Sequence, residues 1–292
     1  MSTVKPMKGV DVELEDVVYP AYLSEKLDGI RVIIKDCVVY TNSMKPVRNK
    51  HVQSRFGKKE YNGVDGELIV GSIHAKDVFR KTTSGVMSIN AVEDVKLYAF
   101  DVWDMPDAPY NERLKELESF AGLPNLIILP QQLVNSPQEA KLYLDVVESA
   151  GGEGLILRSP TGLYKYGRAT LKQQYVMKIK FFAQEEFECI GFNEEMTNLN
   201  EGFYNERGEL ERSLSKEGLV PAGTLGSLKV KNKFSTFSVG TGLTDAERLH
   251  IWENRTHYLN KLVTIRYMKT GLKDAPRHPV FVGWRDEDDI SK

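Results

Sequence analysis

The sequence contains few of the features that mark a secreted or membrane-bound protein. Among its 292 residues are only two cysteines, Cys37 and Cys189, which are too few and too far apart for a disulfide framework or a cysteine metal site. We therefore expect buried thiols in a cytoplasmic protein, in its own cell or in the host cytoplasm if the source is viral. The chain has no apolar run long enough to span a membrane and no apolar signal-peptide segment at its amino terminus.

The sequence also lacks a strong overall charge, internal repeats and low-complexity tracts. A net charge of −2 provides no global attraction for nucleic acid, so any such binding must use local basic clusters. What is present is an ordinary globular composition, with 41% hydrophobic and 27% charged residues. The length suits one large domain or two medium domains.

The first part of the chain, residues 1–183, combines strand patterns with two helices, which predicts a mixed α+β domain. One helix is predicted over 111–120. The other is capped by Ser136, has Glu139 in the position of a capping box and ends at Gly151. Its predicted buried face consists of Leu142, Leu144, Val146 and Val147.

The second part, residues 184–292, predicts an all-β domain with one helix, Asp245–Asn260, capped by Thr244. The predicted strands are Phe187–Phe192, Leu225–Val230, Thr236–Val239, Leu262–Met268 and Val280–Trp284. Five short strands and a helix are typical of an OB-fold, a barrel used for nucleic acid. An insert at 193–223 is too long for an ordinary loop and contains a predicted hairpin around 203–210.

One short stretch, 25–31, places reactive groups at the entry to a predicted strand. A lysine such as Lys26 becomes a nucleophile when burial and nearby cations favour its neutral form. Arg31 is a candidate for that cation and for gripping a phosphate, and Gly29 leaves room for a nucleotide. Alternatively, Lys26 and Arg31 are surface charges, and Asp28 with Gly29 forms a turn.

Carboxylates recur beside glycines at two further strands. Asp65 and Glu67 lie in a predicted turn feeding a strand, and their spacing points both to the same side. Two such charges require a cation or a hydroxyl pair between them, although Asp-Gly is also the commonest hairpin turn. Glu153 enters another predicted strand between two glycines.

Aromatic and basic residues alternate along two other strands. Tyr98 and Phe100 share one strand face, where a ring can stack on a base or pack into the core. Lys178 and Lys180 also share one face, where their ammonium groups either converge on a phosphate or remain in solvent.

Three polar segments are candidates for contact with a phosphate backbone, or are simply solvated. They are a basic loop at 41–49, a hydroxyl-rich loop or helix start at 82–88, and an alternation of bases and aromatics at 164–168.

Taken in order, these motifs resemble those of the covalent nucleotidyltransferase superfamily of ATP-dependent DNA ligases, RNA ligases and mRNA capping enzymes. The motifs are Lys-x-Asp-Gly-x-Arg at 26–31, Asp-Gly-Glu at 65–67, Phe100, Glu-Gly at 153–154 and Lys-x-Lys at 178–180. The resemblance covers nearly the whole chain and is closest to the minimal ATP-dependent DNA ligases. It implies a nucleotidyltransferase domain of antiparallel sheets with flanking helices over 1–183, followed by an OB-fold over 184–292.

The resemblance also implies a reaction in three steps. Lys26 attacks the α-phosphate of ATP and holds AMP through a phosphoramidate while pyrophosphate leaves. AMP then passes to the 5′-phosphate at a nick in duplex DNA. Finally, the neighbouring 3′-hydroxyl attacks that phosphate and expels AMP. Mg²⁺, with Mn²⁺ as an alternative, would be held by Asp65, Glu67 and Glu153.

The remaining contacts follow from the same resemblance. Phe100 would stack on adenine, and Lys178 with Lys180 would neutralise the α-phosphate. The implied nucleotide-binding residues are Glu25, Asp28, Arg31, Glu67, Phe100, Glu153, Lys178, Lys180, Arg285 and Asp289. The implied DNA contacts are Asn42, Lys45, Arg48, Thr83, Ser84, Lys165 and Arg168, with the 193–223 insert as a latch around the duplex.

Three departures from the family pattern keep other functions open. Asn42 stands where the family usually has an arginine, and Ile290 stands where it has a basic residue. The insert carries seven glutamates against three basic residues, which fits poorly beside DNA phosphates. The main hypothesis is a monomeric ligase that acts on nicked DNA. The alternatives are an RNA ligase or capping guanylyltransferase, and a binding module that has lost catalysis.

Overall fold

The structure is a computed structural model that describes residues 4–91, 93–205, 209–268 and 275–285. These residues divide into two compact units, of which the first ends at Lys180 and the second begins at Phe181. In the described ranges, no helix is both long enough and apolar enough to cross a membrane.

The first unit contains two five-stranded sheets with helices beside them. Its strands are β1 (Val10–Asp11), β2 (Ala21–Glu25), β3 (Ile30–Lys35), β4 (Val38–Thr41), β5 (Val64–Val70), β6 (Val95–Val102), β7 (Leu126–Ile128), β8 (Gln132–Val134), β9 (Gly154–Arg158) and β10 (Val176–Lys180). Its α-helices are α1 (Lys50–Phe56), α2 (Val78–Met87), α3 (Tyr110–Glu118) and α4 (Pro137–Ser149).

Strands that are neighbours in the sequence can lie in different sheets of this unit. One has the order β1-β10-β9-β2-β8 and the other β4-β3-β5-β6-β7. Pairing is antiparallel except at β1–β10 and β6–β7. Because β2 and β3 lie in different sheets, the short connection between them, which contains Lys26, links the two sheets.

The two β-branched runs within Arg31–Thr41 predict a hairpin around Lys35 and Asp36, and the structure confirms it as β3–β4. Its two turn residues, Asp36 and Cys37, have φ values of 50° and 61°, the left-handed conformation of a tight hairpin turn. This position exposes Cys37, so the prediction of a buried thiol is wrong for Cys37 and confirmed for Cys189.

Helix α4 is capped as predicted, because Ser136 Oγ accepts a hydrogen bond from Glu139 N. Its buried face, however, consists of Ala140, Leu144 and Val147. Leu142 and Val146 are 71% and 67% exposed, so their predicted burial is wrong. The helical period of 3.6 residues places them on the side opposite Leu144.

The hydroxyl-rich stretch 82–88 is neither a loop nor a helix start, because α2 begins four residues earlier at Val78. Thr82 is buried, and its Oγ1 accepts a hydrogen bond from Val70 N, which ties α2 to the end of β5.

The second unit is built on one antiparallel sheet with the order β15-β14-β11-β16-β17. Its strands are β11 (Phe182–Asn198), β12 (Gly202–Tyr204), β13 (Leu210–Arg212), β14 (Leu219–Lys231), β15 (Thr236–Val239), β16 (Leu262–Met268) and β17 (Arg277–Trp284). The predicted helix after Thr244 is present but broken at Asn254 into α5 (Asp245–Glu253) and α6 (Arg255–Tyr258). The predicted fold class, an α+β unit followed by a mainly β unit, is confirmed.

The 193–223 segment is largely a continuation of this sheet. Strands β11 and β14 run past their predicted ends and remain paired as far as Asn198 and Leu219. Between these ends, β12 and β13 form the predicted hairpin.

Candidate active site

The first unit contains a pocket of about 630 Å³, a volume suited to a small organic ligand. Both sheets contribute to its walls. The predicted functional residues that line it are Glu25, Lys26, Arg31, Asn42, Glu67, Thr83, Phe100, Arg168 and Lys178. The structure thus brings the beginning and the end of this unit's sequence together at one cavity.

Lys26 lies in the connection between β2 and β3, one residue after β2 ends. Its backbone N–H donates to Gly154 O at 2.9 Å, which fixes this connection to the first residue of β9. Its ammonium group donates to Glu153 Oε2, and the Glu153 side chain is almost fully buried. The lysine is therefore held against a carboxylate that can accept a proton from it.

Gly29 lies so close to strand β5 that a residue with a side chain would not fit there. A Cβ at this position would overlap the carbonyl oxygen of Leu68 and the side chain of Ile69. Its N–H donates to Glu67 Oε1 at 3.2 Å. The glycine therefore makes room for β5, and because it also lines the pocket, its predicted role of leaving room for a nucleotide stays a prediction.

Arg31 and Asp65 form a bidentate ion pair inside the unit. Arg31 Nε and Nη2 donate to the two oxygens of Asp65 at 3.0 and 2.6 Å, and Tyr164 Oη donates to Asp65 Oδ2 at 2.6 Å. The charge of Arg31 is thus already compensated by Asp65, and its predicted influence on Lys26 stays a prediction.

The same ion pair changes the interpretation of Asp65. This residue lies within β5, not in a turn, and it is fully buried with both oxygens engaged. Among the described residues, no group of three or more His, Cys, Asp or Glu side chains is arranged to hold a metal ion. The assignment of Asp65, Glu67 and Glu153 to a metal ion stays a prediction, in which Asp65 is the carboxylate already held by Arg31 and Tyr164.

Glu67 and Glu153 remain as a pair of neighbouring carboxylates near Lys26. Burial raises the pKa of Glu67 to about 8, against the opposing charges of Lys26 and Arg31, and the negative charge of Glu153 raises it further. Such crowding favours a cation between the two side chains.

The ring of Phe100 is buried in the pocket wall close to two guanidinium groups. The Cζ atoms of Arg31 and Arg158 lie 5.4 and 4.9 Å from its centroid. Arg158 also lines the pocket, and the sequence analysis missed it. The sequence did offer one signal, an arginine in the apolar strand that follows Glu153. Arg158 is two residues from Ile156 and therefore lies on the same face of that strand.

Lys178 and Lys180 share a carboxylate partner that the sequence analysis also missed. Their ammonium groups lie 3.5 and 3.2 Å from the oxygens of Asp11, which pairs with Lys178 across β1 and β10. Burial lowers the pKa of Lys178, Asp11 opposes that shift, and Lys180 with Arg168 adds to it.

The other predicted residues do not line the pocket. Asp28, Glu153 and Lys180 adjoin residues that do, and Lys165 Nζ donates to Gln173 Oε1 at 3.0 Å. Lys45, Arg48 and Ser84 also lie outside its lining. Arg285 belongs to the second unit, where it pairs with Glu186, and Asp289 lies outside the described residues.

Two family models match the chain. The model described as "ATP dependent DNA ligase domain" matches residues 3–180, and the model described as "DNA ligase OB-like domain" matches residues 220–285. Together they cover the first unit and the greater part of the second.

Individual relatives agree with these matches. A DNA ligase of Haemophilus influenzae is 26% identical over 281 residues, which cover 91% of this chain and 86% of that protein. The solved structure of Chlorella virus DNA ligase-adenylate is 29% identical with a TM-score of 0.56, covering 98% of this chain and 99% of that one. A Lig E DNA ligase structure shares the fold, with 22% identity, a TM-score of 0.69 and coverage of 95% and 99%.

Proposed function

The chain belongs to the family of ATP-dependent DNA ligases, and we propose that it seals nicks in duplex DNA through AMP carried on Lys26. The observation that supports this most directly is the contact between the Lys26 ammonium group and Glu153, beside a pocket of nucleotide size that Lys26 lines. An amine must lose a proton before it can attack phosphorus, and here the proton acceptor is already in contact.

The pocket residues divide the first step between them. Glu153 Oε2 accepts the proton of Lys26 Nζ, and the amine attacks the α-phosphate of ATP. The new N–P bond replaces the P–O bond to pyrophosphate, which leaves. Lys178, on the pocket wall, would offset the negative charge that develops on the transferring phosphate. Phe100 provides the aromatic surface for adenine.

The donor set also fits a hydrated divalent cation. Mg²⁺ keeps several waters and binds through one or two carboxylates plus substrate phosphates, which matches the pair Glu67 and Glu153. Burial is the main cause of the raised pKa of Glu67 and the charge of Glu153 adds to it, so a cation between the two carboxylates would oppose that shift. When bound, the ion would supply electrostatic stabilisation of the phosphates. Asp65 would not bind the ion itself but would orient Arg31.

The DNA contacts extend outward from the pocket. Asn42, Thr83 and Arg168 line it, so we assign to them the contacts nearest the nick. Asn42 replaces the arginine usual in the family, and Arg168 supplies a positive charge at the same cavity. Lys45, Arg48, Ser84 and Lys165 would contact the duplex further from the reacting phosphate.

The first experiment is the intact mass of the protein after incubation with ATP and Mg²⁺. Wild type should gain the mass of one AMP, and Lys26→Ala should gain nothing. Lys35→Ala is the matched control, because Lys35 lies in the same region but pairs with Asp36 in solvent, and it should gain AMP normally. Addition of nicked DNA should then discharge the adduct.

The same assay tests the alternative functions. A GTP adduct in place of an AMP adduct would indicate a capping guanylyltransferase, and discharge by nicked RNA but not by nicked DNA would indicate an RNA ligase. No adduct on a preparation free of AMP, with nick binding retained, would contradict the proposal in favour of a binding module.

The 193–223 segment is proposed as the latch around DNA. Its test is limited proteolysis with and without nicked duplex. Protection by the duplex would support a latch, and equal cleavage under both conditions would contradict it.

A further inference from the structure

The segment just before β1 brings to the pocket a cation that neither the sequence analysis nor the proposed reaction has used. Lys8 lines the pocket and is partly exposed, although its neighbours Met7 and Gly9 are both buried. A lysine that interrupts a buried stretch at the wall of a cavity invites a functional explanation.

Two hydrogen bonds fix the backbone of Lys8. Its N–H donates to Gly167 O at 2.7 Å, and its carbonyl oxygen accepts from Ala169 N at 2.8 Å. Together they form a parallel bridge in which Lys8 is the partner of Arg168. Both side chains line the same pocket. The fold therefore sets two basic residues, from opposite ends of the first unit's sequence, side by side.

The residues on either side of Lys8 are held as well. Met7 O accepts from Arg31 Nη1 at 2.5 Å, and Gly9 O accepts from Arg168 Nη1 at 3.3 Å. A carbonyl acceptor positions the guanidinium of Arg168 without cancelling its charge. An anion that binds here has to order only side chains on a backbone that is already fixed, which reduces the entropic cost of binding.

Lys8 is also close in space to the lysine assigned to the transferring phosphate. A Cβ added to Gly9 would lie 3.0 Å from Lys178 Cγ, so the backbone next to Lys8 runs directly beside that side chain. In the second step, the 5′-phosphate of the nick must come close enough to the α-phosphate of AMP to form a new P–O bond. A cation beside Lys178 is therefore in the neighbourhood where the 5′-phosphate has to be held.

The loop that contains Asn42 lacks a charge for this purpose. Asn42 lines the pocket at the position where the family usually has an arginine, and an amide donates hydrogen bonds but carries no charge. Its neighbours Thr41 and Ser43 are also uncharged, and their hydroxyl oxygens lie 2.9 Å apart and share a hydrogen bond. A phosphate held beside this loop thus needs a cation from another part of the lining.

We infer that Lys8, together with Arg168, binds the 5′-phosphate of the nick and supplies the charge that Asn42 lacks. This inference rests on the proposed function of the same pocket. The 5′-phosphate is a terminal monoester, which carries more negative charge than the diesters of the DNA backbone. Lys8 would contribute a compact point charge and Arg168 a planar fork that can contact two phosphate oxygens. The site would therefore distinguish a nick that can be sealed from one that ends in a 5′-hydroxyl.

The test compares the affinity of the AMP-loaded protein for nicked duplexes with a 5′-phosphate and with a 5′-hydroxyl, with Mg²⁺ withheld so that AMP is not transferred. Wild type should prefer the phosphate. Lys8→Ala should lose about tenfold in affinity for the 5′-phosphate nick, the effect of losing a charge-assisted hydrogen bond, and little for the 5′-hydroxyl nick. Lys35→Ala, which removes an exposed lysine paired with Asp36, is the matched control and should keep the wild-type preference.

A rescue variant tests the link with Asn42. Asn42→Arg places a cation on the neutral loop, so in the Lys8→Ala background it should restore much of the preference for the 5′-phosphate. Failure of this rescue would contradict the idea that Lys8 stands in for the missing arginine.

The phosphates of ATP are the other possible ligand of Lys8, and the adduct assay separates the two. If Lys8 serves the nick, Lys8→Ala should gain AMP with a KM for ATP near that of wild type, and only the discharge of AMP by nicked DNA should slow. A raised KM for ATP with an unchanged preference for the 5′-phosphate would assign Lys8 to ATP and overturn the inference.

Two further results would overturn it. One is equal loss of affinity for both nicks, which would make Lys8 a general contact with the DNA backbone. The other is a wild-type protein that carries AMP but binds both nicks equally. Failure of the proposed function looks different, because wild type itself would then gain no AMP. The melting temperature of Lys8→Ala should match that of wild type, since the contacts that fix this segment are made by its backbone.

Discussion

Carboxylates are buried beside the pocket of the first unit but exposed in the 193–223 segment of the second unit. Beside the pocket, the side chains of Asp65 and Glu153 are buried and lie in direct contact with Arg31 and Lys26, which line it. In the segment, Glu201, Glu209 and Glu217 are exposed. A buried ion pair is costly to break because the remaining charge cannot return to water, whereas an exposed pair contributes about 0–1 kcal/mol. Substitutions should therefore be severe in the pocket and mild in the segment.

The largest effect is expected from Asp65→Asn. This change leaves the charge of Arg31 uncompensated in the interior and weakens the contact with Tyr164. We expect a loss of about 3–5 kcal/mol in the free energy of unfolding, together with loss of AMP transfer. Urea denaturation measures the first quantity.

The matched control is Asp145→Asn, which removes an exposed ion pair with Lys141 on α4. It should change the unfolding free energy by less than about 1 kcal/mol. Equal losses in the two variants would contradict the expectation that a buried ion pair matters more to stability than an exposed one.

The next effect concerns packing beside Lys26. Gly29→Ala places a methyl group against the Leu68 carbonyl of β5, so either β5 or the connection carrying Lys26 must shift. Overpacking of this kind costs about 1–3 kcal/mol, and the displaced lysine should also slow AMP transfer. A calorimetric scan and the adduct assay measure these two effects.

Gly283→Ala is its control in the second unit. A Cβ there would meet nothing within 4 Å, so stability and adduct formation should both stay at the wild-type level. A normal adduct rate in Gly29→Ala would show that the position of Lys26 tolerates movement of β5.

A smaller effect is expected at Asp11, which is partly exposed. Asp11 favours the charged form of Lys178, while burial, Lys180 and Arg168 favour the neutral form. Asp11→Asn should therefore lower the pKa of Lys178 further. The alkaline decline of the AMP-transfer rate should then move to lower pH.

A rate–pH profile for wild type and Asp11→Asn checks the direction of that shift. The control is Asp36→Asn, which removes an exposed partner of Lys35 away from the pocket and should leave the profile unchanged. A shift towards higher pH in Asp11→Asn would contradict the electrostatic role of Asp11.

The smallest effect is expected in the 193–223 segment. Replacement of Glu201, Glu209 and Glu217 by glutamine removes three exposed negative charges and should leave the melting temperature nearly unchanged. If the segment contacts DNA, the affinity for nicked duplex should rise at low salt and the gain should fade as salt is added.

The same charge change at Glu112, Glu116 and Glu118, which are exposed on α3, provides the comparison. A gain in DNA affinity confined to the first set would assign the effect to the segment. An equal gain in both sets would reflect net charge alone.

The elements that the sequence predicted well are those with a local cause. The β3–β4 hairpin, the capping of α4 and α5 and the bounds of β15 and β16 follow from alternation and capping residues within a few positions. The gathering of Lys26, Glu67, Phe100 and Lys178 at one pocket was predicted from the order of the motifs, because that order is characteristic of a family.

The features that the sequence analysis missed depend on contacts between distant strands. Asp11 meets Lys178 only because β1 pairs with β10, and Asp65 is engaged because Arg31 reaches it from β3. Likewise, Arg158 faces the pocket because of the register between β9 and β10. The pairings of Asp11 and Asp65 leave no mark in the sequence around these residues, whereas Arg158 has one local signal, its place at the end of an apolar strand.

The two cysteines differ in a way that offers a practical handle. Cys37 is exposed at the turn between β3 and β4, whereas Cys189 is buried in the second unit. A thiol-reactive dye should therefore attach at Cys37 alone, without any engineered cysteine. Because β3 also carries Arg31, a fluorophore at that turn would sit on the strand that reaches the nucleotide pocket. We therefore expect the fluorescence of the labelled protein to change when ATP or DNA binds, which a titration with each ligand would test.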